Sequence, residues 1–250
     1  MPASTSIKQL LAQARRELKA AGDPRVAAQA RVFFKPGERV RFYGVNAPAA
    51  RKIAKGLSAR VRGEWGLDEA MGFCEAMLRE REMEAKSVGI LVLADFKRLF
   101  DAKMMRKIEG WLGDGLCADW ATTDTLCGAV LAPLLGAHPE LIAKLKSWTG
   151  KRSLWLRRAS AVPLTFYARR GRYLGEIYEI AEALLKYPED LIHKANGWLL
   201  RDAGKADAAR LEAFLLAHGP RIPRTTIRYA IEKFPPDKRK TLLARTRSAN

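Results

Sequence analysis

The sequence predicts an all-α fold, a helical-repeat array of stacked antiparallel helix pairs, on three observations. Apolar residues recur at helical spacing almost everywhere, as in Ile7, Leu10, Leu11, Ala14 and Leu18 or in Ile142, Leu145 and Trp148, and alternating strand patterns are hard to find. Helix-starting residues punctuate these stretches. The stretches come in pairs, an amphipathic helix with acidic residues on its outer face followed by one richer in apolar and basic residues.

Taken in order, Ser4 or Thr5 caps a first helix, Asp23-Pro24 opens a second and Asn46-Ala47-Pro48 a third. A short polar side chain satisfies the free N–H groups of a first turn, and proline suits that turn because its φ is already helical. The pairs then follow: 72–80 before 82–96, 104–114 before 119–135, 140–149 before 154–171, and 177–187 before 190–205. His138-Pro139 and Tyr187-Pro188-Glu189 mark starts within this run. The expected helices are about 10 to 18 residues long, an ordinary length. Lys86, Trp120, Arg158 and Trp198 set a repeat of about 34 to 40 residues, within the range of helical solenoids. In such an array each repeat touches only its neighbours and the inner helices line one concave face, so residues 1–250 are expected to form a single domain without a linker. The final residues, 245–250, are expected to fray.

The 250 residues, 48% hydrophobic, suffice for a sizeable core. Cys74, Cys117 and Cys127 are too few and too irregularly spaced for a disulfide framework, which implies reduced core thiols and a cytoplasmic protein. The first eighteen residues lack a continuous apolar stretch, and no later run reaches the roughly 18 apolar residues of a membrane span.

Charge points to a partner. Lys and Arg number 45 against 27 Asp and Glu, a formal +18, and such an excess favours a polyanion, nucleic acid first. The three histidines, His138, His193 and His218, form neither HExxH nor a cluster with cysteine at ligand spacing, so no metal is expected. Neither GxxxxGK[ST] nor GxGxxG occurs, which argues against nucleotide hydrolysis and dinucleotide cofactors; no cofactor is expected. No lysine is marked as a Schiff-base nucleophile.

Five segments, in order, resemble the inner helices of the DNA alkylation repair family, the AlkD-like glycosylases: Phe42-Tyr43-Gly44-Val45 with Pro48 and Arg51; Glu82 to Leu93; Trp120-Ala121-Thr122-Thr123-Asp124; Trp155-Leu156-Arg157-Arg158-Ala159; and Lys194-Ala195-Asn196-Gly197-Trp198-Leu199-Leu200-Arg201. The sequence departs from the family's habit at Ala121, Thr122 and Asn196, which raises the question of lesion preference. The resemblance implies a HEAT-like superhelix with a concave basic face for duplex DNA. It further implies a monofunctional glycosylase that removes N3- and N7-alkylated purines without a deep base-flipping pocket. Phe42-Tyr43 places Tyr43 among the DNA contacts.

The chemistry such a reaction needs assigns roles. An N3- or N7-alkylated purine is cationic and already a good leaving group, so what remains is to stabilise the positive charge that moves onto the deoxyribose, a carboxylate's task. Asp124 is the candidate; the plainer alternative is that it pairs with a basic neighbour such as Arg158. Trp120, four residues earlier, shares a helix face with Asp124. Trp120 and Trp198 offer aromatic faces, which attract cations by about 0.5 to 2 kcal/mol. Trp111, Trp148 and Trp155 read as packing residues. Arg158 suits bidentate phosphate contact, and Arg157, Lys194, Arg201, Lys205 and Arg228 are further backbone contacts, each alone equally a solvated charge. Glu75, Glu109, Glu182 and Glu212 fall on the outer helices. Two other readings stay open: a family member that binds distorted or branched DNA without excision, and a protein-binding scaffold. The chain is expected to act as a monomer.

Overall fold

The computed structural model describes residues 5–247; the Ser4 alternative for the first cap and the end of the expected frayed tail, 248–250, lie outside them. The fold is all-helical, and its contacts divide the chain into two compact units, up to Ala137 and from His138.

The first unit holds α1 (Ile7–Ala21), α2 (Pro24–Arg31), α3 (Ala47–Val61), α4 (Leu67–Leu78), α5 (Met83–Ala94), α6 (Met104–Gly113), α7 (Trp120–Leu126) and α8 (Ala132–Ala137). Asp23 and Asn46 cap α2 and α3 as expected, but the α1 cap is Ser6. The Ser6 hydroxyl accepts from the Gln9 N–H while the Gln9 side chain accepts from the Ser6 N–H, a reciprocal pair that Thr5 cannot make. Thr5 instead ties the chain start to the α3–α4 connection, through Glu64 and the Trp65 indole. Leu10, Ala14 and Leu18 of α1 are buried, and α5, apolar nearly all round, packs against α1, α3, α4 and α7.

The expected helix over 119–135 is interrupted. Between α7 and α8 a π-helical turn, Cys127–Leu131, lets the Ala132 N–H donate to the Cys127 carbonyl five residues back. Pro133 explains it: proline has no N–H to give and its ring crowds the carbonyl four residues earlier, so the preceding turn widens.

The second unit holds α9 (Ile142–Trp148), α10 (Leu154–Ala161), α11 (Thr165–Ala168), α12 (Leu174–Leu184), α13 (Asp190–Ala206), α14 (Ala208–His218), α15 (Arg224–Ala230) and α16 (Pro236–Arg245). Pro163 splits the segment expected over 154–171, with a 3-10 turn at Val162–Leu164 between α10 and α11. Several helices are shorter than the expected length: seven residues in α7, α9 and α15 and four in α11. The start of the expected frayed tail is held, since Thr246 is buried and its hydroxyl donates to the Leu242 carbonyl.

The pairing itself is present. α4 packs on α5, α9 on α10 and α12 on α13, while α5 joins α3 to α7 and α13 joins α10 to α15, the stacking of a helical repeat. α13 and α15 approach closely because residue 197 is glycine: a Cβ there would lie 2.4 Å from the Tyr229 Cβ and 2.7 Å from the Thr226 carbonyl oxygen. No single helix among the described residues is long and apolar enough to cross a membrane. All three cysteines are buried thiols.

Candidate nucleic-acid interface

In the first unit the site is built at the start of α7. Asp119 caps that helix, its carboxylate accepting from the Thr122 N–H and hydroxyl, both at 2.7 Å. Trp120 and Asp124 follow one turn apart, and both are partly exposed. The indole of Trp120 stacks on Phe34 at 5.3 Å between ring centres, and Phe34 in turn packs on Phe42 at 5.5 Å. That aromatic row fixes the Trp120 ring plane.

Phe42 belongs to a loop clamped by a residue that sequence reasoning did not single out. Glu84, in the first turn of α5 and only 4% exposed, accepts from the backbone N–H groups of Tyr43, Gly44 and Val45 at 3.0, 2.8 and 3.1 Å. A carboxylate takes three N–H donors because its two oxygens carry about four acceptor positions. Gly44 has φ +83°, and a Cβ there would lie 2.0 Å from the Asp23 carbonyl oxygen, so the chain crosses at this point only as glycine. Tyr43 is half-buried; desolvation, with the Glu82 charge, raises its phenol pKa above the ordinary value. Lys86 turns inward and donates to the Leu116 carbonyl at 2.7 Å, which holds the loop leading into α7.

In the second unit α13 carries most of the candidates. Lys194, Trp198, Arg201 and Lys205 are spaced four, three and four residues apart and form one stripe, partly or fully exposed, on a helix whose other positions are largely buried. Each cation has a carboxylate: Lys194 pairs with Asp190 at 2.9 Å, Arg201 with Glu232 and Lys205 with Asp202. The hydrogen bond to Asp190 raises the Lys194 pKa. The exposed pairs, Lys194–Asp190 and Arg201–Glu232, contribute little, about 0 to 1 kcal/mol, and a phosphate can compete for the cation. Arg228 is exposed on α15.

Asp202 is the second residue missed by sequence reasoning. It is 1% exposed, accepts from the Trp198 indole N–H at 3.0 Å, and is flanked by Arg169 at 3.4 Å and by Lys205. Its signal was present in the sequence, since Trp198 and Asp202 repeat the four-residue spacing of Trp120 and Asp124.

One expectation needs correction. Arg157 is not a surface cation: it is buried, pairs with Glu189, donates to the Lys151 and Arg152 carbonyls at 3.0 Å and lies 4.3 Å over the Tyr187 ring. Its guanidinium holds the α9–α10 connection to the start of α13. The departures at positions 122 and 196 are also buried, Thr122 on Asp119 and Asn196 donating to the Ala181 carbonyl at 2.9 Å. Arg158, too, is largely enclosed at 5% exposure, and its Nη1 donates to the Leu191 carbonyl at 2.6 Å, beside the start of α13. Among the described residues no three His, Cys, Asp or Glu side chains group as metal ligands.

The family model described as DNA alkylation repair enzyme matches residues 14–234. A solved structure, a predicted DNA alkylation repair enzyme from Enterococcus faecalis, aligns with a TM-score of 0.76 over 86% of this chain and 97% of its own length. At 17% identity that likeness is one of fold. No curated protein matches the chain.

Proposed function

The chain belongs to the DNA alkylation repair enzyme family, and from that premise we propose that it is a monofunctional DNA glycosylase that hydrolyses the N-glycosidic bond of cationic N3- and N7-alkylated purines in duplex DNA. The observation that carries this reading is Trp120 and Asp124 on one face of α7, both partly exposed, with the Trp120 ring held by Phe34. A carboxylate on a chain of net charge +18 repels the phosphates that the chain otherwise attracts, so an acidic group beside a fixed aromatic ring calls for a role in the chemistry.

The reaction asks for electrostatics rather than proton transfer to the base, which leaves as a neutral purine once its bond to C1′ breaks. As that bond lengthens, Asp124 stabilises positive charge on the deoxyribose and orients the attacking water, whose oxygen bonds to C1′ and whose proton is released. Trp120 lies against the same nucleotide. In the second unit, Trp198 offers a ring to a cationic group and Arg158 a guanidinium to a phosphate. Lys194, Arg201, Lys205, Arg228 and Tyr43 contact the backbone, each cation adding a counterion-release contribution. No metal or cofactor is needed, and the chain acts as a monomer in the cytoplasm.

The test is single-turnover release of free base from a duplex with one N7-methylguanine, wild type against Asp124→Asn. Release by the wild type that falls about 100-fold or more in the variant is expected, the scale of removing one preorganised electrostatic group. Tight duplex binding with no release from either protein overturns the reading in favour of a non-excising binder of distorted DNA.

A further inference from the structure

α2 ends in an apolar tip. Val32 and Phe33 are 82% and 75% exposed, the most exposed large hydrophobic residues among those described, and they are adjacent in the chain. Single exposed apolar residues are unremarkable, but a contiguous pair rimmed by charge marks an interaction surface. The rim is basic: Arg31, Lys35, Arg39 and Arg41 surround the tip in sequence, with Glu38 the one carboxylate between 31 and 41.

The tip is ordered. The N–H groups of Phe33 and Phe34 donate to the Ala30 and Arg31 carbonyls at 3.2 and 3.1 Å, and the Arg31 guanidinium closes the loop on the Lys35 and Pro36 carbonyls at 3.1 and 3.2 Å. Phe34, the next residue, is buried and stacks on Trp120. The exposed pair is thus rigidly joined to the ring that stands one helical turn before Asp124.

From this arrangement we infer that Val32 and Phe33 form a wedge that enters the DNA duplex and opens a base step near the damaged nucleotide, while the exposed Lys35, Arg39 and Arg41 hold the flanking phosphates. The inference rests on the proposed reading of Trp120 and Asp124 as facing the lesion. The chemistry fits duplex DNA: apolar side chains such as phenylalanine pry apart base steps from the minor groove, and a basic rim matches the phosphates on either side. A pre-ordered tip also avoids the entropy cost of immobilising a loop on binding.

The test uses the full chain and a duplex with a single tetrahydrofuran abasic analogue, which cannot be excised, and 2-aminopurine placed in turn one, two or three steps to either side. Wild type is expected to raise 2-aminopurine fluorescence severalfold at one position. Val32→Ser/Phe33→Ser, whose sites are exposed and whose circular dichroism and Tm should stay unchanged, is expected to abolish that rise and to bind at least about fivefold more weakly, the loss of one stacked base. An equal rise from both proteins, or a bound wild type with no rise at any position, overturns the wedge. So does a wild-type dimer in solution that the double substitution converts to monomer with the fluorescence rise intact, which assigns the tip to a second copy of this chain. Because the analogue is not cut, the two readings fail separately: unstacking without excision of N7-methylguanine sinks the glycosylase, and excision without unstacking sinks the wedge.

Discussion

The Trp198 indole N–H donates to the carboxylate of Asp202 at 3.0 Å, one turn further along α13. The same tryptophan-to-aspartate spacing recurs in α7, yet the two aspartates are differently placed: Asp202 is buried and Asp124 is partly exposed. A buried carboxylate flanked by Arg169, Lys205 and an indole N–H orders its neighbours, whereas a partly exposed one remains within reach of a substrate. Asp202→Ala should therefore destabilise the chain by about 1 to 2 kcal/mol, because it removes the acceptor shared by a partly buried indole N–H and two partly exposed cations, and Asp202→Asn by less. Urea unfolding gives the stability, and the Trp198 indole N–H should lose its hydrogen-exchange protection in Asp202→Ala; retained protection would show that packing alone fixes the ring.

Glu84 and Gly44 act as one clamp on the Phe42-Tyr43 loop. Glu84→Ala strands three backbone N–H groups, two of them in buried bonds, and is expected to cost about 3 kcal/mol, with Glu84→Gln keeping part of the stability. Gly44→Ala meets both a left-handed φ and the Asp23 carbonyl, and should cost at least about 2 kcal/mol. Thermal melts of the three variants test this, and a wild-type Tm in Gly44→Ala would refute the crossing.

Salt dependence separates the cations that meet DNA from those that hold the fold. Lys194→Ala, Arg201→Ala and Lys205→Ala should each reduce the slope of log K against log salt by about 0.9 with lesion preference retained. Arg157→Ala should leave the slope alone and lower the Tm, because its partners are Glu189, two carbonyls and the Tyr187 ring. A slope reduced by Arg157→Ala at unchanged Tm would return that residue to the DNA surface.

The buried thiols give a pH signature. Desolvation holds Cys74 far above the ordinary thiol range and pushes Cys117 up to about 12. Burial favours the neutral thiol, so this contribution to stability is complete below pH 9, near the unfolded value, and fades as pH climbs toward 12, at about 1.4 kcal/mol per pH unit for each thiol. At pH 8 a thiol reagent should label none of the three cysteines in the native chain and all three in urea; rapid native labelling would contradict their burial.

The helices were legible because a helix face repeats every three to four residues whatever surrounds it. The segments expected from 72 to 205 are present, and the departures trace to Pro133 and Pro163, whose identity was visible but whose local outcome, a widened turn in one case and a 3-10 turn in the other, depends on what packs around them. Trp120 and Asp124 could be paired from their spacing alone. The role of Arg157 could not, because a guanidinium in an Arg-Arg doublet reads the same whether it faces solvent or pairs with a glutamate thirty-two residues away.

By itself, then, the sequence determined the all-helical repeat, the basic charge balance and the identity of the residues able to carry the chemistry, since periodicity, composition and side-chain type are local properties of the chain. The tertiary structure alone decided which carboxylates are buried and which are partly exposed, that Glu84 clamps the loop at Tyr43, Gly44 and Val45, and that Phe34 sets the plane of Trp120. Burial, hydrogen-bond partners and ring stacking arise between residues tens of positions apart, and they are fixed only when folding brings those positions together.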